Sequence, residues 1–385
     1  MEHGLITSLM RPFFRKGRGA SFTVPGGIDE ESRLLCIDVG DLSDAVFHMP
    51  LLMAVRRRFP AVEMDFLVSE EHLDLVARSG LARECIVYRQ GQLNPWRPAY
   101  GSLLKKLSGS EYDMAVVMSF TPHPRLELGA LASGAKLRLG PSHADGWPAV
   151  NFEVRPREGD TRYWGDRIGL TAPFLGFAPA EIRAGWPLPD DLLRRAAQQV
   201  HFHKPNPDQM LIGLDPTATK SKHRFALESW HFLVRQLSSQ FVCTMLPLGH
   251  PADGDELERF STRLSDVPVG LQRESLMDML VLLAQCDLFL AGNTDLFHFA
   301  VAQGVPTVGL FTEAEPVHHR PSERPRVRVL EIERGEKVDI ETLMEAVEAV
   351  TGGRTSTAST VIADPDEHDL DRPDADPTGE HDPTD

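Results

Sequence analysis

The sequence predicts an α/β protein with two domains, each built on an open, mostly parallel sheet. Predicted strands and helices alternate along the chain, the alternation stops in a segment rich in Pro and Gly at 173–189, and it then starts again. The length of 385 residues allows two such domains, and 42% hydrophobic with 25% charged residues is typical of a globular protein. We therefore expect two domains that face each other across a cleft.

The first domain is predicted over residues 34–185. A buried strand, RLLCIDV, ends at Gly40 and is followed by a helix through LLMAVRRRFP; the next strands are VEMDFLVS, ECIVYR and YDMAVVMS. Residues 1–33 precede this domain as an amphipathic segment and linker, with apolar residues at helical spacing beside basic ones. Two interpretations of this segment stay open: an anchor that lies in a membrane interface, or a terminus that packs or frays.

The second domain is predicted over residues 190–351. Its strands are MLIGLD, FVCTMLPL, DLFLAG and VPTVGLF, and its helices are LESWHFLVRQL, DELERFSTRL, LMDMLVLLAQC, DLFHFAVAQG and DIETLMEAVEAV. Residues 352–385 form a tail with almost no apolar content, which we predict to be disordered. From Asp364 onward the tail has ten acidic residues and one basic residue, so it carries more than half of the formal net charge of −16.

Charge and motif content exclude several classes of function. Outside the tail the chain is only mildly acidic and has no basic face, which argues against binding nucleic acid. No apolar run of 18 residues occurs, so no membrane span is predicted and we expect a cytoplasmic protein. The first strand-to-helix turn has a single glycine, Gly40, instead of G-x-G-x-x-G, and Walker A and H-E-x-x-H motifs are absent.

Four segments occur in an order that resembles glycosyltransferase family 9, the ADP-heptose lipopolysaccharide heptosyltransferases. They are residues 34–60, YDMAVVMS with LASGAKLRLG, IGLDPTATKSKHRFALESW, and AGNTDLFHFAVAQGVPTVGLFTEAEP. The resemblance implies the GT-B architecture, in which two Rossmann-like domains face each other and the C-terminal one binds the nucleotide-sugar. It also implies an inverting reaction without metal or cofactor, with an ADP-sugar donor and a glycan or lipid-linked acceptor. Peripheral contact with the inner membrane surface stays open.

Asp44 is the candidate catalytic residue. Counted back from Pro50, the family's catalytic aspartate falls on Asp44, while Ser43 stands in place of a glycine and Phe47 in place of a histidine. By resemblance, Asp44 is the general base that takes the proton of the acceptor hydroxyl, which is chemistry a carboxylate at such a turn can perform. The alternative is that Asp44, together with Asp41, only caps the following helix.

Two loops of the second domain are candidate nucleotide-sugar sites. Without a metal, the charge that develops on a leaving diphosphate must be met by cations, backbone N–H groups and a helix N-terminus. The loop after MLIGLD offers small and basic side chains for this purpose, with a solvated basic loop as the alternative: Thr217, Thr219, Lys220, Lys222 and Arg224. For the family's lysine, Lys222 is favoured over His223.

The second loop matches the family's Asp-Thr-Gly only in part. Its candidate donor-binding residues are Asn293, Thr294 and His298. Asp295 stands in place of the glycine, and an aspartate beside a diphosphate is repulsive unless it turns away. His298 lies on the apolar face LFHFAVA, so packing is an equal alternative to ligand contact.

The best interpretation is therefore an inverting, metal-independent glycosyltransferase that moves heptose from an ADP-sugar to a lipopolysaccharide-type or related glycan. The first alternative is a non-catalytic protein that keeps the fold and binds a nucleotide or a partner, because the glycines expected at positions 43 and 295 are absent. The second is a nucleotide-sugar epimerase on the same scaffold.

Overall fold

The computed structural model describes most of the chain between residues 23 and 352. The described ranges are 23–24, 26–143, 148–155, 159–203, 206, 209–217, 227–250, 253–264, 275–312, 315–333 and 338–352. Most of the amphipathic N-terminal segment, four of the five predicted residues in the first donor loop (Thr219, Lys220, Lys222 and Arg224), and nearly all of the acidic tail lie outside the described residues.

The first domain contains a sheet of six parallel strands. The strands are β1 (Arg33–Asp38), β2 (Glu63–Ser69), β3 (Glu84–Tyr88), β4 (Met114–Met118), β5 (Leu137–Pro141) and β6 (Phe152–Val154). Their order is β3-β2-β1-β4-β5-β6, which is the order of a doubly wound dinucleotide-type fold. The order reverses at β1 and β4, so a ligand crevice is expected beyond the carboxyl ends of these two strands.

Helices cover both faces of this sheet. They are α1 (Leu42–Arg58), α2 (Leu73–Ala77), α3 (Pro98–Ser108), α4 (Pro124–Ala132) and α5 (Trp164–Arg167). Alternate residues of β1 belong to two separate cores: Leu34 and Cys36 pack with residues of α1, and Leu35 and Ile37 pack with residues of α3 and α4. This burial on both sides explains why β1 and β4 read as nearly continuous apolar runs.

The second domain contains a sheet of five parallel strands, β7 (Met210–Asp215), β8 (Cys243–Pro247), β9 (Leu288–Ala291), β10 (Thr307–Thr312) and β11 (Val327–Ile332). Their order is β11-β10-β9-β7-β8, the second common doubly wound order, with its reversal between β7 and β9. Its helices are α6 (Asp190–His203), α7 (Leu227–Gln240), α8 (Gly254–Thr262), α9 (Leu276–Leu283), α10 (Asp295–Gln303) and α11 (Ile340–Thr351). The predicted fold class, two parallel-sheet α/β domains, is confirmed.

The two domains meet where α1 packs against α10. Since α1 follows β1 and α10 follows β9, this contact joins the reversal points of the two sheets, and we call it the junction. The chain crosses from one domain to the other through short turns and an extended segment at 182–189, where Gln303 Nε2 donates to the backbone oxygen of Trp186 at 2.9 Å. No helix in the described ranges is long and apolar enough to cross a bilayer.

Candidate active site

The turn between β1 and α1 fixes the position of Asp44. Asp41 is the N-cap of α1, and its side chain accepts the backbone N–H of Asp44 at 3.1 Å. Gly40 precedes it with a φ of +82°, and a Cβ at Gly40 would lie 3.3 Å from the Tyr88 hydroxyl, so both conformation and space favour glycine there. Asp41 therefore caps the helix, and the Asp44 carboxyl is left for another role.

The Asp44 carboxyl is buried at the junction, with only 5% of the residue exposed. Its Oδ2 accepts a hydrogen bond from Ser119 Oγ at 2.7 Å, whereas its buried Oδ1 has no hydrogen-bond partner among the described residues. A buried carboxylate oxygen without a hydrogen-bond donor lowers the stability of the folded protein, so a functional reason for it is expected. A carboxylate oxygen without a hydrogen-bond donor can accept a proton.

Burial raises the pKa of Asp44 to about 7, and the negative charges of Asp41 and Asp295 act in the same direction. The Ser119 hydroxyl and the Phe120 backbone N–H act against it by favouring the ionised form. A carboxyl group that exchanges its proton near neutral pH suits general base catalysis. Ser119, at the end of β4, has no sequence signature that would have indicated its contact with Asp44.

The loops after β7 and β9 meet at a second buried carboxyl group, Asp215. Thr217, which is only 3% exposed, donates to Asp215 Oδ1 through its backbone N–H at 3.0 Å and its hydroxyl at 2.7 Å. The Thr294 hydroxyl also bonds to Asp215. Burial raises the pKa of Asp215 to about 7, although these hydrogen bonds lower it. Asp215 thus links the two loops predicted to bind the nucleotide-sugar donor. No motif in the sequence indicated this role for Asp215.

The three candidate residues of the second donor loop lie at the start of α10. Thr294 is the N-cap of α10 and accepts the Phe297 N–H at 3.3 Å. The Tyr163 hydroxyl donates to His298 Nδ1 at 2.9 Å, and His298 Nε2 donates to Asn293 Oδ1 at 3.0 Å. The Asn293 amide donates in turn to Glu315 at 2.6 Å. These roles follow from the one tautomer that satisfies all three bonds.

His298 is buried in this chain, and its pKa is held well below the usual histidine value by burial, with the nearby His319 acting in the same direction. The ring is therefore neutral at physiological pH. Both ring nitrogens bond to protein groups, and a ligand contact at His298 would have to replace one of these bonds.

Aromatic rings from both domains pack around Phe47, the residue in place of the family's histidine. The Phe47 ring lies 5.5 Å from the Tyr163 ring and 5.0 Å from the His298 ring, both edge to face. Trp164 lies next to Phe47, and the His318 ring stacks on Trp164 at 5.9 Å. Edge-to-face rings contribute about 0.5–1.5 kcal/mol per pair beyond their buried area, so this layer stabilises the junction.

Asp295 turns towards the first domain. Its Oδ1 accepts a hydrogen bond from Ser43 Oγ at 2.5 Å across the junction. The two positions at which a glycine was expected from the family pattern are thus in contact with each other. Within the part of the chain that the structure describes, no group of three or more His, Cys, Asp or Glu side chains could hold a metal ion.

Two doubly wound domains that meet at the carboxyl ends of their central strands form the GT-B architecture. The chain belongs to glycosyltransferase family 9 (heptosyltransferase), whose family model matches residues 100–347. This match spans the second domain and the later strands of the first. The α1 helix with Asp44 precedes the matched residues.

Known proteins similar to this chain agree with that assignment. The lipopolysaccharide core heptosyltransferase OpsX of Haemophilus influenzae is 21% identical over 300 residues, covering 76% of this chain and 82% of that protein. The glycosyl transferase family 9 structure from Veillonella parvula has a TM-score of 0.66 at 17% identity, covering 84% and 98% of the two chains. The E. coli ADP-heptose lps heptosyltransferase II has a TM-score of 0.61 at 18% identity, covering 83% and 98%. These two structures share the fold of this chain.

Proposed function

We propose that this protein transfers heptose from ADP-heptose to a lipopolysaccharide-type acceptor, with inversion at the anomeric carbon and without a metal. The observation that carries the proposal is Asp44 Oδ1, a buried carboxylate oxygen without a partner among the described residues, at the junction of the two domains. The family membership and the ADP-heptose named for the E. coli relative support the choice of donor.

In this reaction Asp44 Oδ1 takes the proton of the acceptor hydroxyl. The freed oxygen attacks the anomeric carbon from the face opposite the leaving group, and a new C–O bond forms. The bond from the anomeric carbon to the diphosphate oxygen breaks, and its electron pair leaves with ADP. Ser119 holds Asp44 through the other oxygen at 2.7 Å, which keeps Oδ1 aimed at the acceptor.

The second domain supplies the donor site in this proposal. The N-terminus of α10, capped by Thr294, and the loop that begins at Thr217 both follow strands at the reversal point of the sheet. Backbone N–H groups at such a helix end favour a diphosphate. Lys220, Lys222 and Arg224 lie outside the described residues, and we propose that they neutralise the charge of the leaving ADP.

The acceptor is proposed to be lipid-linked, and the N-terminal segment is proposed to bring the enzyme to the inner membrane surface. Its apolar residues at helical spacing beside basic ones are the features of an interfacial helix. Binding to vesicles with anionic headgroups, lost on removal of the first 20 residues, is the expected result. Equal binding with and without that segment would contradict this part of the proposal.

Product analysis tests the reaction itself. The full chain is incubated with ADP-heptose, with and without a lipopolysaccharide acceptor that lacks the heptose. We expect ADP release and a heptosylated product only when the acceptor is present, with NMR of the anomeric centre showing inversion. Conversion of the donor sugar without acceptor would indicate an epimerase. Nucleotide binding without any turnover would indicate a non-catalytic protein.

A further inference from the structure

The Ser43–Asp295 contact joins the two domains immediately next to Asp44. Ser43 lies in the first turn of α1, and Asp295 is the first residue of α10. The hydrogen bond between them is 2.5 Å long and spans 252 residues of sequence. A glycine at either position could not make this bond, so the contact needs both of the side chains that this chain carries.

The Asp295 carboxylate lies among titratable groups of three other segments. Its charge acts on Asp44 in α1, on His72 in the turn after β2, and on His319 in the segment after β10. Asp295 thus brings a negative charge from the second domain close enough to act on Asp44, the proposed base in the first domain.

We propose that Asp295 is a positioning residue for the transfer: the hydrogen bond from Ser43 holds the Asp295 carboxylate against the helix turn that carries Asp44, and its negative charge helps Asp44 to take the acceptor proton. The inference rests on the proposed function, because it assumes that Asp44 takes the acceptor proton. It goes further by assigning a role to two residues that the family pattern does not explain.

The groups around Asp44 support this role. Two aspartates act on Asp44: Asp41 from the same helix turn and Asp295 from α10. Their negative charges raise the pKa of Asp44. From the segment after β4, the Ser119 hydroxyl donates to Asp44 Oδ2, and this bond and the nearby Phe120 backbone N–H lower the pKa of Asp44. Three residues further along α1, the rings that pack around Phe47 carry no charge: Tyr163, Trp164, His298 and Phe120.

The histidine one turn further along α1 adds no charge near Asp44 at physiological pH. His48, whose Nδ1 bonds to the Asp44 carbonyl oxygen, has its pKa lowered to about 4 by burial and is neutral at physiological pH. Asp41 is fixed on the same turn as Asp44, so its effect is constant. The effect of Asp295 depends on the two domains being in contact.

Because the effect of Asp295 depends on contact between the domains, the Ser43–Asp295 hydrogen bond takes part in the proposed reaction. With the domains together, the neighbouring charge strengthens the base at the moment when it must accept a proton. Without the Ser43–Asp295 contact, Asp44 gives up its proton more readily. Proton uptake by Asp44 is thus coupled to the contact between the two domains.

Three variants of the full chain test the proposal. Asp295→Asn removes the charge but keeps an oxygen that can accept from Ser43, and Ser43→Ala keeps the charge but removes the bond. Glu341→Gln is the matched control, because it removes an exposed acid from the first turn of another helix. Two readouts are used: the pH profile of kcat/KM, and titration of the Asp44 carboxyl by carbon-13 NMR of the substrate-free protein.

In Asp295→Asn we expect the acidic limb of the pH profile and the Asp44 titration to shift together to lower pH. The high-pH rate should fall about two- to fivefold, because a weaker base transfers protons more slowly. Ser43→Ala should shift both in the same direction by less, and Glu341→Gln should shift neither.

An unchanged Asp44 titration in Asp295→Asn would overturn the inference, and so would an equal loss of rate at every pH, which is the mark of a merely structural role. If the wild-type protein transfers no sugar, the proposed function fails by itself. The NMR titration would still decide whether Asp295 acts on Asp44.

Discussion

Asp44 and Asp215 are two buried carboxyl groups in comparable places, each close to the carboxyl end of the first strand of its domain. They are 5% and 2% exposed, and burial raises the pKa of each to about 7. Their hydrogen bonds differ, because Thr217 and Thr294 donate to Asp215, whereas Asp44 Oδ1 receives no bond from the described residues. A raised pKa is therefore common to both groups. The buried Oδ1 without a hydrogen bond from the described residues distinguishes Asp44, the proposed base, from Asp215, which links two loops.

The stability of an Asp44→Asn variant should separate the two roles most strongly. The pKa of Asp44 is about 7 in the folded protein and 3.8 as the reference value. The folded state therefore retains a proton that the unfolded state releases as pH rises from about 4 to 7, and stability falls across this window. Asparagine carries no charge, so the variant should be more stable by about 1–4 kcal/mol at pH 8, and the gain should vanish near pH 4. Urea denaturation at the two pH values measures this difference, and a loss of stability at pH 8 would contradict it.

Replacing Asp215 by asparagine should stabilise the protein less than Asp44→Asn does at pH 8, although the same pKa argument applies to both groups. The Asn amide would bring a donor to a place where Thr217 and Thr294 already donate, so one hydrogen bond is lost. We expect the gain in unfolding free energy at pH 8 to be about 1 kcal/mol smaller than for Asp44→Asn, and ADP binding to be weaker, because the two donor loops are no longer tied together. Denaturation and calorimetric titration with ADP check this, and unchanged ADP affinity would argue against Asp215 as the link.

Chelation of metal ions should leave the reaction unchanged. The donor side is proposed to meet the diphosphate charge with Lys220, Lys222, Arg224 and the α10 N-terminus instead of a cation. The initial rate with EDTA should equal the rate without it. Recovery of a lost rate on addition of Mg²⁺ or Mn²⁺ would show that the second domain works differently from this account.

Removal of Asp364–Asp385 should have the smallest effect. This segment has almost no apolar side chains to bury, so ordering it would cost more conformational entropy than its contacts return. Melting temperature and turnover should match those of the full chain. A fall of several degrees in melting temperature would show that the tail packs on one of the two domains.

The repeated alternation of strands and helices was sufficient to predict the fold, because strands such as β4 are buried on both faces and read as apolar runs. Strand β11 was not predicted. It lies at the edge of its sheet, and its half-buried positions include Arg328, so its apolar signal is weaker.

The candidate site could be predicted only in part. Asp44 and Thr294 follow strands directly, and local patterns indicate such positions. The contacts of Ser119 with Asp44, Tyr163 with His298, and Ser43 with Asp295 join segments 75, 135 and 252 residues apart. These contacts depend on how sheets and domains come together, and no periodicity along the chain encodes that arrangement.

The most direct test of the central claim is the single-turnover rate of Asp44→Asn, measured together with its affinity for ADP. Asparagine keeps the size of the side chain but cannot take a proton at neutral pH, so transfer should slow about 10²-fold or more. ADP affinity should stay unchanged, because the donor is held by the second domain. Asp41→Asn is the control: asparagine caps α1 about as well as aspartate, so only the few-fold loss of rate expected from removing a negative charge near Asp44 should remain. Equal losses in both variants, or a defect confined to ADP binding, would contradict the role of Asp44 as the base.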